Sequence, residues 1–320
     1  MFSAFLRILY VGFKQIVLGE RLRLRLFDSS RYEDADYTFA KKPKRRTVAL
    51  AGRRMEQTIM DDLRGKRAIV SGSTQGIGRA CALEIARRGA AVTLVARDAS
   101  ALERVTGELS TDHGGEHAWV CADFQDVDEL ATKIKAHVES VGTVHILVNN
   151  TGGPPSGPII EADPSEFAQA FSNHVLCNQV VLGAVLPGMK EAGFGRIVNI
   201  VSTSVLMPLH GLGVSNTIRA AVANWAKTVA SEVASFGITV NNVLPGFTDT
   251  ARLQSLFEAK AKRTGSSAAE VRRQAIAGIP AGRLADPAEI AAVVGFLVSP
   301  AAAYISGVNL PVDGARLAAQ

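Results

Sequence analysis

Seven short apolar runs recur after residue 66: RAIVSG, AVTLVAR, HAWVCAD, VHILVNN, GRIVNIVS, GITVNNVLPG and VNLPVDG. Within each, apolar residues follow one another almost without interruption, as in strands buried on both faces. The segments between them carry a helical period. After the first run, Ile77, Cys81 and Ile85 fall at i, i+4 and i+8, and Gly89 stops the helix. Strand alternating with helix predicts a parallel sheet, and right-handed crossovers wind it in both directions. The expected architecture is α/β, a doubly wound parallel sheet of about seven strands with helices on both faces (a Rossmann fold). One domain over residues 61–320 accounts for all of it, with no repeat and no second core.

Ligands of such sheets bind at the carboxyl ends of the strands. Here those ends read SGSTQGIG, AR, AD, NNTGG, VSTS and PGFTDT, so polar and glycine-rich residues collect on one edge. SGSTQGIG (71–78) follows a strand and opens a helix. Gly72 permits the tight turn, and Ser73 lies inside it. Gly76 and Gly78 let a pyrophosphate approach the backbone and the helix pack on the strand. The residue closing the second strand, about 20 positions further on, should read a dinucleotide's ribose; it is Arg97, where NAD sites use an acid. A guanidinium suits the 2′-phosphate of NADP, so NADP (NADPH) is expected over NAD.

Charge separates two regions. Residues 1–60 hold 13 Lys and Arg against 6 Asp and Glu, and the remaining 260 hold 22 against 24. The basicity belongs to an N-terminal extension, which argues against a nucleic-acid partner for the body. The extension opens MFSAFLRILYVGFKQIVLG, where Arg7 and Lys14 keep the apolar run short of a spanning helix. Phe5, Ile8, Leu9, Phe13 and Ile16 share one helical face, as in a membrane-surface helix. Five acids between Glu20 and Asp36 oppose an organelle transit peptide. Met60, directly before DDLRGKRAIVSGST, is an equally natural first residue for the body. A mis-assigned start, a disordered tail and a surface anchor or targeting segment stay open for 1–60, and membrane contact is expected only in the last case. Three cysteines, Cys81, Cys121 and Cys177, are too few and scattered for a disulfide framework or a metal site and fit a cytoplasmic protein.

As a set, SGSTQGIG, NNTG after the fourth strand, Ser202 after the fifth, LPGFTDT after the sixth and ISGVNLPVDGA at the end resemble the short-chain dehydrogenase/reductase family. The resemblance covers about 61–316 and is closest to the 3-oxoacyl carrier-protein reductase branch. It implies that Gly72, Gly76, Ile77 and Gly78 hold the cofactor pyrophosphate. It further implies that Asp123 and Phe124 border the adenine, Asn150 the adjoining ribose, and Pro245, Gly246 and Thr250 the nicotinamide side. The implied activity is reduction of a carbonyl on a small-molecule or acyl-thioester substrate. The implied assembly is a homodimer or homotetramer, formed through helices around 164–190 and 215–236. The segment after the sixth strand would be the substrate lid. Its Lys260, Lys262, Arg263, Arg272 and Arg273 suit an acidic carrier protein or a CoA phosphate, or are simply a solvated helix face.

The family's chemistry rests on four residues: a tyrosine that exchanges the substrate proton, a lysine four residues later on the nicotinamide ribose, a serine 13 residues earlier, and an asparagine in the preceding helix. Ser202 matches the serine, but the other three positions hold Ser215, Arg219 and His174, the last with Asn173 beside it. The four tyrosines, Tyr10, Tyr32, Tyr37 and Tyr304, lie elsewhere, and Lys227 is two helical turns past Arg219. An alkyl hydroxyl is a far weaker acid than a phenol of pKa about 10, and arginine stays protonated. Arg219 is therefore assigned ribose hydroxyls or a substrate carboxylate or phosphate. His174, ordinarily near pKa 6–7, is the expected acid–base group, with His210 second; the plainer alternative is a histidine filling the asparagine's space. Three functions stay open: an NADP-dependent carbonyl reductase with a rewired proton donor, a catalytically silent NADP-binding sensor or partner subunit, and another reaction on the same fold, such as dehydration or isomerisation.

Overall fold

A computed structural model describes residues 62–111 and 116–319, and the extension read over 1–60 lies outside the described residues. Each apolar run forms a strand: β1 Arg67–Ser71, β2 Ala91–Ala96, β3 Ala118–Cys121, β4 Ile146–Asn149, β5 Gly195–Ile200, β6 Ile238–Pro245 and β7 Asn309–Val312. All neighbouring strands are parallel, in the order β3-β2-β1-β4-β5-β6-β7. The order reverses between β1 and β4, which opens a crevice at their carboxyl ends.

The strand pattern explains why both faces are covered. In β1, Ala68 and Val70 point to one side and Ile69 to the other, and all three are buried. The first side receives α1 (Gly76–Arg87), α2 (Ala99–Thr106) and α9 (Pro287–Leu297) through Cys81, Ile85, Leu102, Val294 and Leu297. The second receives α3 (Val127–Val141), α5 (Cys177–Glu191) and α6 (Gly213–Val233) through Leu130, Ile134, Val181, Val185, Ala226 and Val229. Burying each such aliphatic side chain contributes roughly 1.5–3 kcal/mol. A short α4 (Pro164–Phe171) runs through a π-helical turn, Ser172–Leu176, into α5. Two helices, α7 (Ala251–Thr264) and α8 (Ala268–Ala277), follow β6 in the segment expected to be the lid and pack around Leu253, Phe257, Val271 and Ile279.

Polar residues also pin the sheet. Asn149, Asn199, Asn242 and Asn309 face one another across β4, β5, β6 and β7. Each amide donates to the next: Asn149 to Asn199 at 2.9 Å, Asn199 to Asn242 at 2.9 Å and Asn242 to Asn309 at 2.8 Å. A one-residue slip of any strand would break this ladder and turn the amides into apolar surroundings. The ladder thereby fixes the relative height of the strand ends that carry the site. No helix among the described residues is long and apolar enough to cross a membrane.

Candidate active site

A cavity of about 1410 Å³ lies along the carboxyl edge of the sheet. Its lining includes Gly72, Gly76, Ile77, Arg97, Asp123, Phe124, Asn150, His174, Ser202, Ser215, Arg219, Pro245, Gly246 and Thr250. Two expected cofactor residues do not line it. Ser73 is fully buried, and its Oγ accepts the Val95 N–H at 3.1 Å, tying the turn to β2. Gly78 is buried under the same turn, where a Cβ would sit 2.1 Å from the Gly72 carbonyl oxygen. Both shape the turn instead of lining the cavity.

The turn fits a phosphate. Gly72 takes φ +58°, and a Cβ on it would lie 2.2 Å from the Asn150 carbonyl oxygen. Asn150 clasps the turn by donating from Nδ2 to the Gly72 carbonyl at 3.1 Å. The turn leads into α1, whose N-cap Gln75 makes no side-chain cap bond, whereas Asp98, Asp126, Asp163, Thr250, Ser267 and Asp286 cap α2, α3, α4, α7, α8 and α9. First-turn N–H groups without a side-chain cap at the cavity wall suit a pyrophosphate. Arg97 closes β2 at the far end of the cavity, exposed, and its guanidinium pairs with no acid among the described residues. Arg79, nearby, is instead paired with Glu108 at 2.5 Å.

A second group of polar side chains lines the cavity beyond β4 and β5. Ser202, half-buried after β5, accepts the Ser204 N–H on its Oγ at 3.1 Å, so its own hydroxyl proton is left for a ligand. Arg219 donates from Nη1 to the Ile200 carbonyl at 2.9 Å and from Nη2 to the Thr151 carbonyl at 3.4 Å. Ser215 lies one turn before it on α6, on the same helix face and in the cavity wall. Burial, and then the charge of Arg252, pull the Arg219 guanidinium down to about 10, which leaves it cationic at neutral pH.

His174 differs from its expected state. The π-helical turn inserts it toward the sheet, where it is 2% exposed and its Nδ1 lies 2.5 Å from the Thr151 Oγ1. Burial, and then Arg219, push its pKa down to about 3 instead of the expected 6–7. The ring is neutral at physiological pH. Asn173 also lines the cavity, and its side chain lies against Gln169 and the Phe124 carbonyl. His210, second in line, is exposed and absent from the cavity wall.

Two residues went unread in the sequence. Thr151 stands directly in NNTGG, but only the fold reveals its contact with His174. Arg252, two residues past Thr250, reaches the Pro154 carbonyl at 2.5 Å. In the lid, Arg272 is paired with Asp249 at 2.9 Å and Arg273 with Glu270, while Lys260, Lys262 and Arg263 are exposed.

Residues 72–315 match a family model described as enoyl-(acyl carrier protein) reductase. The 3-oxoacyl-[acyl-carrier-protein] reductase FabG of Pseudomonas aeruginosa is 36% identical over 253 residues, 79% of this chain and 97% of that protein. The chain belongs to the short-chain dehydrogenase/reductase family. A cis-4-hydroxycyclohexanecarboxylate dehydrogenase of Sinomonas cyclohexanicum is 33% identical over 250 residues, 77% of this chain and 94% of that protein. Among solved structures, the L-sorbose reductase of Gluconobacter frateurii, complexed with NADPH and L-sorbose, superposes with a TM-score of 0.74 at 29% identity, covering 80% of this chain and 97% of that one. The relatives named here are oxidoreductases, and Ser215 and Arg219 of this chain line the cavity.

Proposed function

We propose that this chain is an NADP(H)-dependent oxidoreductase that interconverts a carbonyl and its alcohol without a tyrosine acid. The observation that carries the reading is the pairing of two ends of one cavity: Arg97, paired with no acid among the described residues, beside the glycine turn, and Ser202, Ser215 and Arg219 beyond β5. Gly72, Gly76 and Ile77 would line the pyrophosphate, Arg97 the 2′-phosphate, Asp123 and Phe124 the adenine, Asn150 its ribose, and Pro245, Gly246 and Thr250 the nicotinamide. The NADPH in the related L-sorbose reductase supports this choice of cofactor. When bound, NADP(H) would supply or take up a hydride at the substrate carbon. Ser202 and Ser215 hold the substrate oxygen by hydrogen bonds, and the Arg219 charge steadies negative charge developing on it. The proton reaches that oxygen from water through these hydroxyls.

A catalytically silent NADP(H) binder is the second reading, and one observation favours it. Neither His174, at about 3, nor Arg219, at about 10, titrates near neutrality. Stopped-flow mixing of the protein and NADPH with 3-oxoacyl, quinone, small aldehyde and small oxo-acid substrates separates the two. NADPH oxidation with any of them supports the enzyme; tight NADPH binding with no turnover supports the silent binder.

The proposal extends to organisation. Residues 61–320 form the working unit, self-paired through α4, α5 and α6, where Phe171 and Leu176 are 41% and 43% exposed. Light scattering that reports a monomer at micromolar concentration would remove the pairing.

A further inference from the structure

Gly153, in the loop after β4, sits between two guanidinium groups. A Cβ on it would lie 3.4 Å from Arg252 Nη2 and 3.6 Å from Arg219 Nη2. Both arginines line the cavity, and neither pairs with an acid among the described residues. Their hydrogen bonds go to backbone carbonyls only: Ile200 and Thr151 for Arg219, and Pro154 for Arg252. Asp249, the acid in the same stretch of wall, is taken by Arg272 at 3.1 and 2.9 Å.

Two like charges converging on one point repel. Neither has a counter-ion among the described residues, and burial works against the charge of both. Such an arrangement persists when a ligand brings the anion. Planar guanidinium forks suit a carboxylate, which accepts parallel N–H bonds from both sides. Apart from the glycine and its chain neighbours, the three atoms nearest that Cβ position all belong to the two guanidinium groups, and a Cβ on Gly152 would meet nothing within 4 Å.

Building on the reading above, we infer that Arg219 and Arg252 form a subsite for a carboxylate of the substrate, so that this enzyme takes small oxo- or hydroxy-acids in preference to neutral ketones or thioesters. Placement separates this anion from the cofactor pyrophosphate. Arg219 is anchored to the ends of β4 and β5, one helical turn from Ser215, while the glycine turn follows β1. Arg252 lies on the first turn of the lid helix α7, so an acid bound at the pair would also draw the lid onto the substrate.

The test uses the full chain saturated with NADP+ and calorimetric titration of acetoacetate and levulinate, each against its methyl ester. NADPH affinity is measured separately. Each acid should bind at least ~10-fold tighter than its ester, in line with a charge-assisted pair. Arg252→Gln should abolish that preference and leave the NADPH Kd within about two-fold, with Arg252→Lys restoring part of it. Equal binding of acid and ester overturns the inference. So does an Arg252→Gln variant that loses NADPH affinity while keeping the acid preference, because the arginine would then serve the pyrophosphate. If the wild type fails to bind NADPH at all, the cofactor reading falls; acid preference measured without cofactor then still decides the subsite.

Discussion

The His174 Nδ1 and the Thr151 Oγ1 lie 2.5 Å apart in the cavity wall, and the same Thr151 offers its carbonyl to Arg219 at 3.4 Å. One short segment thus connects a neutral ring to a fixed positive charge. A ring held near pKa 3 by burial and by Arg219 exchanges no proton at neutral pH. Turnover in the reductive direction should therefore show no ionisation attributable to this histidine between pH 5.5 and 8. His174→Asn should lower kcat by less than about 10-fold, below the usual contribution of a general acid. A fall above a hundred-fold, together with loss of a pKa near 6.5, would restore His174 as the proton donor.

The same depressed pKa makes a stability prediction. Unfolded, the ring titrates near 6.5; folded, near 3. Between those values the unfolded chain binds the extra proton, so stability falls as pH falls and is full above 6.5. At pH 5 this one ring costs about 2 kcal/mol relative to pH 7. Urea midpoints of the wild type should drop across that interval, and those of His174→Asn should drop less by roughly that amount. His145, also lowered by burial, Lys66 and Arg67, contributes equally to both proteins and cancels. Parallel curves for the two proteins would refute the buried neutral ring.

The strands and their polar ends were legible because continuous apolar runs and glycine turns are local properties of the chain. The glycine turn, Arg97 and Ser202 come from single strand ends, and strand order carries them to one edge. His174 could not be read in the same way. Its burial depends on a π-helical turn and on a partner 23 residues away. Arg252 was hidden for a similar reason: its neighbour Pro154 is 98 residues distant, and a lid arginine looks in sequence like any solvated charge. Ser73 misled in the opposite direction, since a serine inside a phosphate turn is as well suited to tying that turn to β2 as to facing the ligand.

The asparagine ladder should be costly to interrupt. Asn242 is fully buried, accepts from Asn199, and donates to Asn309 and to the Ala223 carbonyl. Asn242→Leu would orphan those groups inside the sheet, at about 1–3 kcal/mol for each one left unsatisfied. A thermal midpoint lower by several degrees is expected, and an unchanged midpoint would show that the amides are not coupled.

Two glycine substitutions should behave oppositely. Gly78→Ala places a methyl 2.1 Å from the Gly72 carbonyl and 2.6 Å from the Asn150 amide, so the turn must move. It should destabilise by ~1–3 kcal/mol and weaken NADPH binding. Gly183, exposed within α5, meets nothing of its own chain within 4 Å, so Gly183→Ala should leave the stability of the single chain unchanged or raise it by up to about 1 kcal/mol. Denaturation and NADPH titration of both variants check the contrast.

Ser215→Tyr combined with Arg219→Lys tests how the missing phenol and the arginine pair are linked. Lysine has no planar fork, so it cannot offer the carboxylate a parallel pair of N–H bonds while it also holds the Ile200 and Thr151 carbonyls. The double variant should therefore lose the preference for acids over esters. The new phenol, beside a cation, supplies a titratable donor at the reacting end, and reduction of methyl acetoacetate should rise by at least ~10-fold over wild type with a newly acquired pH dependence. A gain on the neutral ester at the expense of acetoacetate would mean that the wild-type site exchanges an acid group for an anion grip. Activity in the double variant with no turnover of any acid or ketone by the wild type would instead establish a silent NADP(H) binder.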